Sequence, residues 1–298
     1  MSGPRALTAE EITWMLEHAD DNRVPNFIAC ATINGVIATT CIVLRLWSRC
    51  IQQHRLHLIT SDWLAVAAWV AFVGCVISSC LSTRYGLGRH VIFASDLRLF
   101  CITNIIYQDL YVLVTTLLKL SILSLYKVIF GPTRWFNRTI WVVSALVIEM
   151  GIQYLLTINL ECIPLAKLWN RALPGTCIRS DITGRVGYTQ NIISDIVLLS
   201  MPIPLIRGLQ ISKRRKWALI LAFGAGGSTC IVCIIQLKFF GGLNGRVDYT
   251  WDLMGLNYLG LVECMTGFVA TSIAVYGPLY QRIFKTPVPS SQRTSLVV

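Results

Sequence analysis

Six ionisable side chains fall inside runs of apolar residues long enough to exclude water: Asp109, Lys119, Glu149, Asp195, Lys238 and Glu263. A charge in such surroundings is costly unless it is paired, hydrated or used. Counted from the outer ends of their runs, Asp109 and Asp195 lie about eight residues deep, roughly 12 Å at 1.5 Å per residue, and Glu263 lies at that depth or slightly deeper. Carboxylates sharing one layer need a shared proton, a cation or a ligand, which is the chemistry of binding or of acid/base work. Asn191 sits one turn from Asp195, with Gln153, Asn159 and Asn257 on neighbouring runs. Asp109, Asn191, Asp195 and Glu263 are therefore expected to line a polar pocket. Lys119 lies deeper and is expected to pair with Glu149 on the next run. Residue types and spacing assign no catalytic residue.

The elements that must position these groups are read from the apolar runs. Of 298 residues 54% are hydrophobic and 14% charged, against roughly a quarter charged in a soluble domain. The mean hydropathy is +0.61. Apolar runs recur at about 26–46, 63–82, 101–126, 139–161, 187–206, 218–240 and 253–280, each sufficient to cross a bilayer as a helix. The expectation is an all-α membrane protein, a seven-transmembrane helix bundle. Arg45, Arg49 and Arg55 follow the first span; Lys127, Arg134 and Arg138 the third; Arg207, Lys213, Arg214, Arg215 and Lys216 the fifth; Arg282, Lys285 and Arg293 the last. Basic residues in short loops mark the cytoplasmic side, which puts the N-terminus outside and the C-terminus in the cytoplasm.

Residues 1–25 form a polar N-terminal segment, 26–284 the seven-span domain, and 285–298 a short cytoplasmic tail. The first segment lacks the apolar core of a signal peptide. Thr8 and Glu11 have capping-box spacing ahead of Ile12, Met15 and Leu16, so it forms either a short amphipathic helix or a frayed tail. The net charge of +11 resides in loops that face lipid headgroups, so the bilayer rather than nucleic acid is the expected partner.

The outer loop 161–185 holds Cys162 and Cys177, a candidate disulfide in an oxidising compartment; Cys101, at the outer end of span three, is an alternative partner for either. Cys230 and Cys233 have metal-motif spacing with no second pair and read as packing residues. His18, His54, His57 and His90 all lie outside the spans, and no phosphate loop or dinucleotide fingerprint is present. Neither a metal nor a cofactor is expected.

Several stretches together carry a family likeness: RLWSR (45–49) leading to DWLAVAAWV (62–70), YGLGRH (85–90), KLSILSLYKVIF (119–130), CIPLAKLWNRALPGTC (162–177), DIVLLSMPIPLIRGLQ (195–210), RRKWALILAFGAGG (214–227) and VEC (262–264). Over residues 26–284 the chain resembles the fungal rhodopsin-domain family, seven-span membrane proteins that include the satratoxin-cluster type and relatives of fungal host-surface receptors. The resemblance implies a seven-helix bundle and gives weight to Asp62, Gly86, Gly88, Lys119, Ser121, Tyr126, Asp195, Pro202, Pro204 and Glu263. Gly86 and Gly88 permit a tight outer turn that Arg89 and His90 complete in solvent, and Pro202 with Pro204 break span five at its inner end. The chain departs from the family at Gln236, where an arginine is usual, and at AVYGPLYQRIF (274–284). Retinal is not implied, because a Schiff base needs a lysine in span seven and residues 252–280 contain none. The residues after span three, LSLYKV (123–128), lack the acidic-arginine-aromatic triplet of G-protein-coupled receptors, so coupling to a G protein is unsupported. Two functions fit. One is a receptor-like or sensor-like protein taking a small lipophilic molecule into an outward-facing pocket. The other is an accessory protein of secondary metabolism, or a cyclase-type enzyme using the carboxylates as acid and base.

Overall fold

Backbone N–H and C=O groups in lipid have no water to bond, and a helix satisfies them within its own segment. The computed structural model describes residues 7–53, 58–130, 133–170, 172–178, 180–204, 213–242, 248–273 and 275–276. Among the described residues the chain forms α1 (Ala9–Glu17), α2 (Val24–Gln53), α3 (Thr60–Tyr85), α4 (Leu97–Phe130), α5 (Arg134–Asn159), α6 (Ser180–Ser200), α7 (Lys213–Gly242) and α8 (Tyr249–Ile273). Five of these, α2 to α5 and α8, are long and apolar enough to cross a membrane. α6 is diluted by Arg185, Gln190, Asn191 and Asp195, and α7 opens on four basic residues before its apolar stretch Gly226–Gly241. α6 stops at Ser200, two residues before Pro202, which cannot continue a helix.

Side-chain contacts fix the direction of each helix. Ser61 meets Ser121 and Ser78 meets the carbonyl of Thr103, so α3 and α4 are antiparallel. Asp109 meets Asn159 and Thr116 lies against Gly151, so α5 runs against α4. α7 runs against both α6 and α8, with Phe240 on Gly184 and Phe239 on Gly255. α8 closes on α2, where Phe27 packs edge-on to Tyr258 and Ser48 donates to the carbonyl of Val275. The seven long helices thus form a ring, with α4 on its inner side touching α3, α5, α6 and α8.

One buried ion cluster locks three helices of this ring. Arg45 Nε donates to Asp62 Oδ1 at 2.9 Å, and Arg49 Nε stands 3.1 Å from Oδ2. Arg45 also donates to the carbonyl of Thr271 on α8 and to Ser61 Oγ on α3. Arg45 and Arg49, expected in a loop, instead lie within α2, which continues to Gln53 and brings them onto the first turn of α3. Both are buried because Asp62 sits at the helix end they cross, so pairing replaces hydration. Arg55, His54, His57, Arg207, Arg282, Lys285, Arg293 and the tail 285–298 lie outside the described residues.

The opposite end of the ring is capped. α1 begins with a reciprocal capping box between Thr8 and Glu11, and its apolar stripe buries Met15. Trp14 stacks on His18 and meets the edge of His90. His90 corrects the expectation of a solvent-exposed turn: it is 1% exposed, bonded to Asp248 and stacked on Trp251. Gly88 seats that turn, with φ at +84° and Met254 so close that a Cβ would overlap it. An antiparallel pair of two-residue strands, Cys162–Ile163 with Thr176–Cys177, forms the loop between α5 and α6.

Candidate functional site

The inner stripe of α4 carries Tyr111, Thr115 and Lys119 at spacings of four, which places them on one face of the helix. That face meets α6 and α8. Lys119 Nζ stands 3.0 Å from Asp195 Oδ1 and donates to Asn191 Oδ1 and Ser194 Oγ, both at 2.5 Å. Asn191 turns its other end to α8, where Nδ2 donates to Glu263 Oε1 at 2.8 Å. Tyr111 donates its hydroxyl to Glu263 Oε2 at 2.5 Å. From α7, Cys233 directs its thiol at Asp195 Oδ2, 3.8 Å away, and lies 3.3 Å from Asn191 Nδ2. Lys119, Asp195, Cys233 and Glu263 are all buried. Four helices therefore converge on a single hydrogen-bonded unit of one ammonium and two carboxyl groups.

The structure brings together three of the four residues expected to line a pocket, Asn191, Asp195 and Glu263. Asp109 stands apart, half-buried, and accepts from Asn159 Nδ2 at 2.9 Å. Equal residue counts from helix ends do not give equal depth here, because α4 has 34 residues and its ends are not level with those of α6 and α8. Lys119, ten residues below Asp109, is the α4 residue level with Asp195.

The expected pairing of Lys119 with Glu149 does not form. Glu149 is exposed on α5, whose buried stripe runs through Phe136, Ile140, Val143, Val147 and Gly151. A residue two positions from Val147 and two from Gly151 lies on the far side of the helix. The exposed neighbours of Glu149, among them Leu146, Ile148 and Ile152, make that side the lipid-facing one. Glu149→Leu is accordingly expected to leave the protein at least as stable as the parent, read as its melting temperature in lipid nanodiscs.

Cys162 and Cys177 are joined in a disulfide, and Cys101 is a free, buried thiol. Sequence reasoning missed Tyr111, Ser194 and Cys233. Tyr111 and Lys119 share a helical face, a readable signal; the spacing of Cys230 and Cys233 without a second pair points only to packing, and the contact of Cys233 with Asp195 arises from the packing of α7 on α6. Asp195, Cys233 and Glu263 do place an oxygen or sulfur atom each within 4.8 Å of the others, a spacing suited to a cation. The Lys119 ammonium supplies one positive charge there, 3.0 Å from Asp195, against two carboxyl groups.

Two cavities flank the unit, and Lys119 and Thr115 line both. The smaller, about 510 Å³ with its mouth, runs from Lys119 toward the N-terminal ends of α4 and α6 past Tyr111, Met150, Tyr154 and Tyr188. Gly187 makes room for the Tyr154 ring, since a Cβ there would lie 2.3 Å from it. The larger, about 770 Å³, runs the other way, toward the C-terminal ends of α4 and α8.

Known proteins are similar to this chain in sequence. The family described as "Fungal rhodopsin domain" matches residues 44–282. A polyenoic acids biosynthesis gene cluster protein, Ba17b, of Metarhizium anisopliae is 25% identical over 88% of this chain and 74% of its own length. The satratoxin biosynthesis SC1 cluster protein 4 of Stachybotrys chartarum is 30% identical over 59% of this chain and 62% of its own. The receptor GIN3 of Arthrobotrys oligospora is 22% identical over 78% of this chain and 59% of its own. The chain thus spans less than two thirds of the last two relatives. No solved structure matches it.

Proposed function

Because this chain belongs to the fungal rhodopsin domain family and is a multi-pass membrane protein, we propose that it is a receptor-like or sensor-like protein that binds a small lipophilic molecule without retinal. It crosses the bilayer seven times, with the N-terminus outside and the C-terminus in the cytoplasm. The closed ring of seven long helices and the basic residues at the inner ends of its helices, among them Lys127, Arg134 and Arg138, support that topology. The ligand enters the smaller cavity, which faces outward in this orientation and offers polar groups amid apolar walls. The observation that carries the reading is the Lys119–Asn191–Glu263 connection at the cavity floor, which ties α4, α6 and α8 together where a ligand would touch them. A ligand that bonds better to one helix arrangement than to another shifts the population toward it. The likeness to a receptor supports sensing.

A second reading has its own support. Two relatives are named for biosynthetic gene clusters, and a desolvated acid beside a second carboxylate could protonate an alkene or epoxide and stabilise the resulting cation. Asp195→Asn separates the two. Altered gene expression with unchanged metabolites supports sensing, whereas accumulation of one precursor at normal protein abundance supports catalysis. Unchanged expression and unchanged metabolites with normal abundance would overturn both.

A further inference from the structure

The larger cavity carries an imbalance that the smaller one does not explain. Its walls are mostly apolar, with Leu118, Ile122, Leu125 and Leu198 along its length. At one end stand Asp195 and Glu263 with Lys119, two carboxylates against one ammonium. Among the described residues the donors to these carboxylates are Lys119, Cys233, Tyr111 and Asn191. A carboxylate offers about four acceptor positions, so both retain capacity for further donors. Among the described residues, the two buried arginines do not supply them: Arg45 is held by Asp62, Ser61 and the carbonyl of Thr271, and Arg49 by Asp62.

We infer that the larger cavity is a binding site for a lipophilic amine, its apolar chain along α4 and α6 and its ammonium against Asp195 and Glu263. An ammonium supplies the one positive charge the unit is short of, and three N–H donors for the free acceptor positions. A carboxylate head would meet two like charges, and a neutral hydroxyl would supply one donor and no charge. The inference goes beyond the sensor reading, because it concerns the opposite face of the Lys119 unit and a defined ligand charge.

The test uses the full chain in phosphatidylcholine nanodiscs and radiolabelled dodecylamine, with empty nanodiscs as background. Saturable binding is expected, with dodecanol and dodecanoate competing at least about tenfold more weakly, equal to 1.4 kcal/mol. Ala270→Phe, which fills the larger cavity, should remove binding, and Met150→Trp, which fills the smaller one, should preserve it. Glu263→Gln should erase most of the preference for the amine over the alcohol; it keeps an acceptor for Tyr111, so a folded protein is expected, checked by its elution as a single species. Equal competition by the alcohol, or loss of amine binding in Met150→Trp but not in Ala270→Phe, would overturn the inference. No saturable amine binding, together with a neutral lipophile blocked only by Met150→Trp, would leave the sensor reading standing while the amine site fell.

Discussion

Asp62→Ala is expected to remove about 3–5 kcal/mol of stability, because it strips the counter-charge from two buried guanidinium groups. Arg45 is 1% exposed and Arg49 9%, so water cannot take over from Asp62 without opening the junction of α2, α3 and α8. The loss should appear as a fall in melting temperature in nanodiscs and as reduced accumulation in cells. Asp62→Asn keeps an acceptor for Arg45 and should cost less than alanine, though it removes the charge. Arg45→Met and Arg49→Met combined with Asp62→Leu should recover part of the loss, since apolar side chains of matching bulk avoid desolvating the charges. An alanine variant that melts within about 0.5 kcal/mol of the parent, the range of ordinary surface changes, would show that this cluster does not lock the ring.

Lys119→Met is expected to have the largest effect on the site. It leaves Asp195 and Glu263 as two carboxylates in one buried unit with no cation, and it removes the donors to Asn191 and Ser194. Loss of one partner of a buried pair costs about 3–5 kcal/mol, and both cavities lose the charged residue they share. Lys119→Arg should not restore the parent, because a planar guanidinium cannot reproduce the compact contacts of the ammonium with Asp195, Asn191 and Ser194. Adding Asp195→Leu to Lys119→Met should raise stability again by removing the unpaired acid. The melting temperatures of the three variants check this. A Lys119→Met protein as stable as its parent, and still able to bind an amphiphile saturably, would contradict the reading of the unit as the centre of the site.

The helices and most of the polar centre were legible in the chain, for a physical reason: lipid forces long apolar runs and makes each buried charge conspicuous. Asp195, Glu263 and Asn191 stood out on those grounds and do meet. Register between helices was not legible. Counting depth from helix ends places Asp109 with them, but the α4 residue level with Asp195 is Lys119, nearly three turns further along. The exposure of Glu149 was readable from the spacing of Val147 and Gly151, yet a neighbouring opposite charge on Lys119 weighed more in the expectation. Arg45 and Arg49 were read only as topology markers; that α2 extends far enough to bury them against Asp62 depends on packing with α3 and α8, which no local pattern announces. His90 was misplaced for the same reason, since its partners Asp248 and Trp251 come from the far end of the chain.

The most direct measurement is a pair of double-mutant cycles on the full chain in nanodiscs, one joining Lys119→Met with Asp195→Leu and the other joining Lys119→Met with Glu149→Leu. Residues in one ion-pair network couple by about 0.5–3 kcal/mol, and distant ones add within a few tenths. Coupling of at least about 2 kcal/mol to Asp195, with none to Glu149, is the expected result. Coupling to Glu149 and none to Asp195 would contradict the arrangement on which the candidate site is built.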